Sequence, residues 1–255
     1  MERVTSADGT EIAFRQGGVG PAVVLVGGTA ADHTDNEPLA AELAAQFTVY
    51  NYDRRGRGGS GDTLPYSVER EFEDLAALIA HAGGSACVYG ISSGGALVLA
   101  AAVAGVPMER LAVYEVPYDM TDGAPERYRA YADRLDALLA EGRRDDAFVA
   151  FLREAESTEE DIAAARSVPT WPELTAIAHT LAYDAAMLGD GRPPAGLTDV
   201  AVPALIVTGG GAYIDAAAAA IAQRLPHAER HTLEGQPHSV DPTVLAPLLE
   251  DFFTR

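Results

Sequence analysis

Short, unbroken apolar runs alternate with longer helical patterns along most of this chain. "AVVLV" (22–26), "FTVYNYD" (47–53), "ACVYG" (86–90), "LAVYE" (111–115) and "ALIVTG" (204–209) are the clearest, followed by "ERHTLEG" (229–235). A strand that is apolar at every position must be covered on both faces. That requirement points to an α/β architecture with a mostly parallel central sheet flanked by helices. "EIAFRQ" (11–16) is expected to pair with the N-terminal segment. Helices are predicted at roughly 36–45, 67–82, 93–105, 214–225 and 242–253, with Gly or Pro punctuation such as "HAGG" (81–84) and "RLP" (224–226).

One interval breaks the alternation. No convincing strand appears between Tyr118 and Pro203, only four helical stretches beginning at "APERYRAYADRLDALLAEG". The expected organisation is therefore a core domain of residues 1–118 and 200–255, with a helical cap of residues 119–199 inserted after strand 6. Such an insertion covers one end of the sheet, where open α/β sheets bind ligands. Most of its apolar residues should form a small core of its own, and a minority, Trp171 and Tyr183 among them, should face a pocket with Tyr118.

Composition narrows the partners. The chain has 255 residues, 48% of them hydrophobic, enough for one large domain with a real core. A net charge of −20 repels nucleic acid and anionic membranes, leaving a small molecule as the expected partner. A homodimer is compatible with this composition. The single cysteine, Cys87, allows no disulfide within the chain, and its place in an apolar strand suggests a buried, inert thiol. The N-terminal stretch lacks an apolar leader core, and no run approaches membrane-spanning length, so a cytoplasmic location is expected.

The chemistry concentrates at "VYGISSGGALVL" (88–99). Gly90-Ile91-Ser92-Ser93-Gly94 fits G-x-S-x-G, a weak signal alone. An apolar strand runs into it and an Ala/Leu/Val helix runs out, the arrangement a nucleophile elbow requires. The turn also chooses between the serines. Residues two before and two after the nucleophile must lack bulk; around Ser92 these are Gly90 and Gly94, whereas around Ser93 one is Ile91. Ser92 is the candidate nucleophile, and Ser93 opens the helix and offers its backbone N–H to an oxyanion.

The stretches "VLVGG", "YDRRGRGGSGDT", "VYGISSGGALVL", "VYEVPY" and "GQPHSVDPTVLAPLLEDFF", in this order, resemble the α/β-hydrolase fold superfamily, in particular the compact esterase-like members common in actinobacteria. The resemblance implies the α/β-hydrolase fold, a Ser–acid–His mechanism, no metal and no organic cofactor. By matching position it makes Thr29 an oxyanion donor alongside Ser93, with Gly28 beside the substrate. It places the base after the last strand, at His238 in "EGQPHSVDP". The five other histidines read differently. His227 and His231 are surface residues, His81 and His179 lie in helical patterns, and His33 is either a pocket residue or a surface loop residue.

The acid departs from the family pattern. The loop after strand 7 reads Gly209-Gly210-Gly211-Ala212, where G-x-x-D is usual. Glu115, at the end of strand 6, is the leading candidate, because a buried glutamate there needs a partner. Asp215 and Asp119 remain alternatives, and Asp215 is also explained as a helix N-terminal residue. Gly56 to Gly61 match G-x-G-x-x-G, but "DTLPYS" follows instead of a helix, so the loop is not read as a dinucleotide site. The expected function is a serine hydrolase acting on a carboxylic ester, thioester or lactone of a small to medium apolar substrate. A non-hydrolytic lyase or cyclase on this fold, or a non-catalytic ligand-binding protein, stays open. Ser92 excludes haloalkane dehalogenase chemistry, which needs Asp at that position.

Overall fold

The computed structural model describes residues 1–255. Eight strands and ten helices follow one another in the chain. They are β1 (Glu2–Thr5), β2 (Glu11–Gly17), β3 (Ala22–Val26), α1 (His33–Leu43), β4 (Thr48–Tyr52), α2 (Val68–His81), β5 (Cys87–Ile91), α3 (Ser93–Val103) and β6 (Leu111–Tyr114). There follow α4 (Ala124–Ala140), α5 (Arg144–Glu154), α6 (Glu159–Ser167), α7 (Trp171–Ala176), α8 (Thr180–Leu188), β7 (Ala204–Thr208), α9 (Ala212–Ala222), β8 (Ala228–Thr232) and α10 (Pro242–Phe253). The strands form one sheet in the order β1-β2-β4-β3-β5-β6-β7-β8. The β1–β2 and β2–β4 pairs are antiparallel and every later pair is parallel.

The unbroken apolar runs are explained by burial on both faces. In β3, Val24 and Val26 enter one core while Val23 and Leu25 enter the other. In β6 and β7 the same alternation sends Val113 and Ile206 one way and Tyr114 and Val207 the other. The first core contains buried residues of α2, α3 and α9, and the second contains those of α1 and α10. Each fully buried Val or Leu contributes about 1.5–3 kcal/mol relative to exposure. The edge strand β8 carries Glu229, Arg230 and His231 exposed, a charged edge that discourages pairing with another chain. No helix is long and apolar enough to cross a membrane.

Helices α4 to α8 occupy the interval without strands, between β6 and β7. Leu135, Phe148, Ile162, Trp171 and Leu181 pack into a third core belonging to these helices. The continuous helix suggested by "PELTAIAHTLAYDAAML" is broken instead into α7 and α8. Tight bonds from Ala178 N–H to Thr175 O and from Thr180 N–H to Ile177 O turn the chain between them. That turn brings His179 Nε2 within 3.2 Å of Asp62 Oδ2 and Tyr183 Oη within 2.9 Å of the same oxygen.

Four buried charges join this insertion to the core. Arg54 pairs in bidentate fashion with Glu71 of α2, at 2.7 and 2.8 Å, and also reaches Asp184 of α8 at 2.8 Å. Arg57 meets the second Asp184 oxygen at 2.8 Å. Burial pushes both carboxyls up, but the arginines outweigh it: Arg54 beside Glu71, and Arg57 and Arg54 beside Asp184, hold both below the ordinary carboxylate range. Carboxyls that titrate lower when folded give stability above the unfolded values that is lost as pH falls through the folded ones. Glu71→Ala, which leaves Arg54 with one carboxylate, should cost about 3 kcal/mol in urea unfolding. The variant should also lose less stability than the wild type between about pH 7 and about pH 3.

Candidate active site

Strand β5 ends at Ile91 and α3 begins at Ser93, so Ser92 must reverse the chain alone. Its backbone is at φ 55° and ψ −126°, a conformation that costs a non-glycine residue roughly 1–3 kcal/mol. The reversal is as tight as the sequence predicts. A Cβ on Gly90 would lie 2.5 Å from Gly94 O, and one on Gly94 would lie 2.4 Å from Gly27 O. Ser92 N–H donates to Tyr114 O at 2.9 Å, which ties the turn to β6.

The two serines part company here. Ser92 lines a cavity of about 470 Å³. Ser93 is fully buried, and its hydroxyl accepts a hydrogen bond from Arg54 at 3.2 Å. As the first residue of α3, Ser93 has no carbonyl one turn earlier in the helix to take its N–H. Thr29 also lines the cavity, and its N–H has no hydrogen-bond partner. Gly28 lies so close to the turn that a Cβ there would sit 3.2 Å from Ser92 Cβ.

His238, in the loop between β8 and α10, lines the same cavity. Its Nδ1 lies 2.8 Å from Glu115 Oε2, which leaves Nε2 for the cavity. Glu115 is 7% exposed and stands at φ 50°, just past the end of β6. Its second oxygen accepts the Gly209 N–H at 3.0 Å. Glu115 N–H in turn donates to Val207 O at 3.1 Å. The carboxylate is therefore held by the strand beside it. The loop after β7, where the sequence has no Asp in the G-x-x-D position, supplies a backbone donor to the Glu115 carboxylate instead. A side chain at Gly209 would strike Gln236 O, 2.0 Å from its Cβ. Gly235 N–H donates to Gly209 O at 3.0 Å, which locks this turn to the His238 loop. Tyr114 Oη donates to Pro237 O at 2.8 Å, beside the histidine.

The alternative acids are engaged elsewhere. Asp215 accepts the Thr208 hydroxyl at 2.8 Å. Asp119 accepts from Thr121 and pairs with Arg127 at 2.6 Å. Of the residues expected to line the pocket only Gly28 does so. His33 is buried at the start of α1, where its ring Nδ1 and its backbone N–H both meet Asp53 Oδ1, at 2.8 and 2.7 Å. It is neither a pocket residue nor a surface one. Tyr118 packs into the sheet's core, and Trp171 into the insertion's core, where it donates to Asp145. Tyr183 stacks on Tyr66 with ring centroids 3.7 Å apart. His179 is not inside a helix but at the start of α8. Cys87 is buried, and burial pushes its thiol up to about 12.

The cavity instead runs between α1 and α10. Leu39, Tyr89, Val240 and Leu245 form its apolar wall, Phe151 reaches it from the insertion, and Asp35 and Asn36 stand at its polar end. The sequence predicts helices at 36–45 and 242–253, but nothing in it says that their mutual spacing opens next to Ser92. Asp32, His33 and Asp53 bring three potential metal-binding atoms within 4.8 Å of one another. The chain already uses them: Asp32 caps α1 through Thr34 N–H, and Asp53 holds His33 and the Gly59 N–H.

Comparison with known proteins agrees with this fold. Residues 23–248 match the model of a family described as the alpha/beta hydrolase family. An alpha/beta hydrolase from Sphaerobacter thermophilus is 48% identical, covering 99% of this chain and 100% of its own, with a TM-score of 0.90. An enol-lactonase from Burkholderia xenovorans shares the fold at 23% identity, with all of both chains covered and a TM-score of 0.73. A thermophilic esterase from Thermogutta terrifontis shares it at 23% identity, covering 99% of this chain and 97% of its own, with a TM-score of 0.70. No functionally curated protein matches the sequence. Tyr114→Phe should lose the bond to Pro237 O and about 1 kcal/mol of stability, read from urea unfolding.

Proposed function

The chain belongs to the alpha/beta hydrolase family, and from that membership we propose that it is a serine hydrolase cleaving a carboxylic ester, thioester or lactone. One observation carries this reading. The Glu115–His238 pair, 2.8 Å apart, opens into the same cavity as the strained Ser92. In the proposed reaction His238 Nε2 takes the Ser92 proton as Oγ attacks the carbonyl carbon. Glu115 fixes the imidazole tautomer and stabilises the imidazolium that forms. The negative charge that develops on the carbonyl oxygen falls to the N–H groups of Thr29 and Ser93. His238 then returns the proton to the leaving oxygen or sulfur, and an acyl-enzyme remains on Ser92. Water, deprotonated by the same imidazole, adds to that acyl carbon, and collapse frees the acid and restores the serine. Ser92 Oγ is hydrogen-bonded to no residue, His238 included, whose ring is tied through Nδ1 to Glu115; a serine–histidine bond of this kind tightens when substrate closes the site.

The cavity wall also bears on substrate. Its volume of about 470 Å³ suits a small to medium molecule. No Arg or His other than His238 lines it, whereas Asp35 does, and burial pushes that carboxyl up. An apolar, uncharged acyl or alkyl group fits such a wall, and a carboxylate-bearing one does not. The esterase and enol-lactonase neighbours are compatible with this class of reaction.

A fluorophosphonate probe should label wild-type protein rapidly at Ser92. Ser92→Ala should stay folded, lose the labelling and lose p-nitrophenyl butyrate turnover; full activity in that variant would overturn the reading. Glu115→Gln should lower kcat by roughly 10³- to 10⁴-fold while Asp215→Asn stays within about twofold of wild type. The opposite ranking, measured by steady-state kinetics, would move the acid to the loop after β7.

A further inference from the structure

The four buried charges beneath the turn have a geometry that stability alone does not require. Arg57 Nη1 donates to Gly28 O at 2.7 Å, while its Nη2 holds Asp184. Gly28 C=O and Thr29 N–H are opposite ends of one planar peptide. Fixing the oxygen therefore fixes the direction of the N–H that points toward the developing oxyanion. Arg54, held by the other Asp184 oxygen, donates to the Ser93 hydroxyl at 3.2 Å and approaches Gly27 O at 3.4 Å. The Ser93 hydroxyl also helps to keep the Asp184 carboxyl low. One carboxylate thus reaches both donors, through a different arginine for each. Arg54, Arg57 and Asp184 are all at least 97% buried, so water does not compete for these bonds.

We propose that Asp184, carried by α8 of the insertion, is a positioning residue that aligns the Thr29 and Ser93 N–H groups through Arg57 and Arg54. The proposal rests on the serine-hydrolase reading above. It makes the docking of the insertion part of the reaction's electrostatics: where α8 sits, the donors point. Asp184 touches neither substrate nor the reacting atoms. Its effect belongs to the transition state and the tetrahedral intermediate that follows, because negative charge develops on the carbonyl oxygen there and not in the bound ester.

The same insertion makes a second contact with the core that supplies a control. Asp62 receives Tyr183 Oη at 2.9 Å and His179 Nε2 at 3.2 Å, and no hydrogen bond connects it to either arginine. Removing that contact takes away a neighbouring polar tie of the insertion while leaving both Asp184–arginine pairs in place to seat α8.

The test compares Asp184→Asn, Arg57→Lys and Asp62→Asn with wild type on p-nitrophenyl butyrate and on inhibition by an alkylboronic acid. The boronate forms a tetrahedral adduct with serine and so mimics the oxyanion. Asp184→Asn should lower kcat roughly ten- to a hundredfold with KM within about twofold. Its boronate affinity should fall in proportion to kcat/KM. Arg57→Lys keeps the cation but cannot span carbonyl and carboxylate together, so it should show the same split. Asp62→Asn should keep wild-type kcat and boronate affinity. Unchanged kcat in a folded Asp184→Asn, an equal loss in Asp62→Asn, or loss of the fold in both Asp184→Asn and Arg57→Lys would each overturn the proposal. A wild-type protein that neither hydrolyses the ester nor takes the fluorophosphonate label would overturn the hydrolase reading itself, and this proposal with it.

Discussion

The chain's reversal between β5 and α3 is the contact on which the rest of the site depends. No side chain fits at Gly90, where it would strike Gly94 O, or at Gly94, where it would strike Gly27 O and Val26 O. Nor does the region accept bulk further on, since a Cβ on Gly95 would lie 2.7 Å from Val116 Cγ2. Because the backbone bends there without slack, Ser92 is lifted out of the core while Ser93, its neighbour, is driven into it. One hydroxyl becomes available to solvent and ligand, and the other becomes part of the buried scaffold. The strain at Ser92 persists because β6, through Tyr114 O, and the packed helix α3 over-determine the local conformation.

Much of this was legible in the residues. Apolar runs such as "AVVLV" announce a sheet covered on both faces, and the observed cores divide each strand's side chains between two layers of helices. The choice of Ser92 over Ser93 follows from Ile91 alone. Glu115 was recoverable because a carboxylate at the end of an apolar strand demands a partner, and His238 is beside it. The failures share one cause: they concern which neighbour a side chain finds across the fold. His33 stands one turn before the cavity-lining Asn36, yet Asp53 draws it inward. Tyr183 reads as an aromatic in a helical insertion, and only the three-dimensional arrangement reveals Tyr66 beneath it. The cavity itself belongs to the gap between α1 and α10, two helices far apart in the chain, and no local pattern encodes that gap.

The arginines illustrate a division of labour. The "YDRRGRGGSG" segment holds three fully buried guanidinium groups, each matched to carboxylates: Arg54 to Glu71 and Asp184, Arg55 to Asp74 and Asp8, and Arg57 to Asp184. Guanidinium suits this work because its planar fork satisfies two acceptors at once and stays charged when buried. The outcome is a dense plate of three guanidiniums and four carboxylates against the Gly27 and Gly28 carbonyls, in which Arg57 Nε alone among the guanidinium nitrogens is buried without a partner. The charges are shared rather than matched one to one: Asp184 serves two arginines, and Arg54 and Arg55 each take two carboxylates.

Seating the acid on β6 changes what the neighbouring loop is free to become. Glu115 asks the segment after β7 only for the amide proton of Gly209, a position that close packing against Gln236 O reserves for glycine. Beyond it, Gly211 has open space around its Cβ position, though its φ of 120° still favours glycine. In relatives whose acid rides on that loop, lengthening it would drag the carboxylate away from the imidazole. Under the proposed mechanism the stretch beyond Gly209 carries no proton-transfer group, so what limits change there is its own backbone, in which Gly210, at φ 99°, and Gly211 adopt conformations that favour glycine.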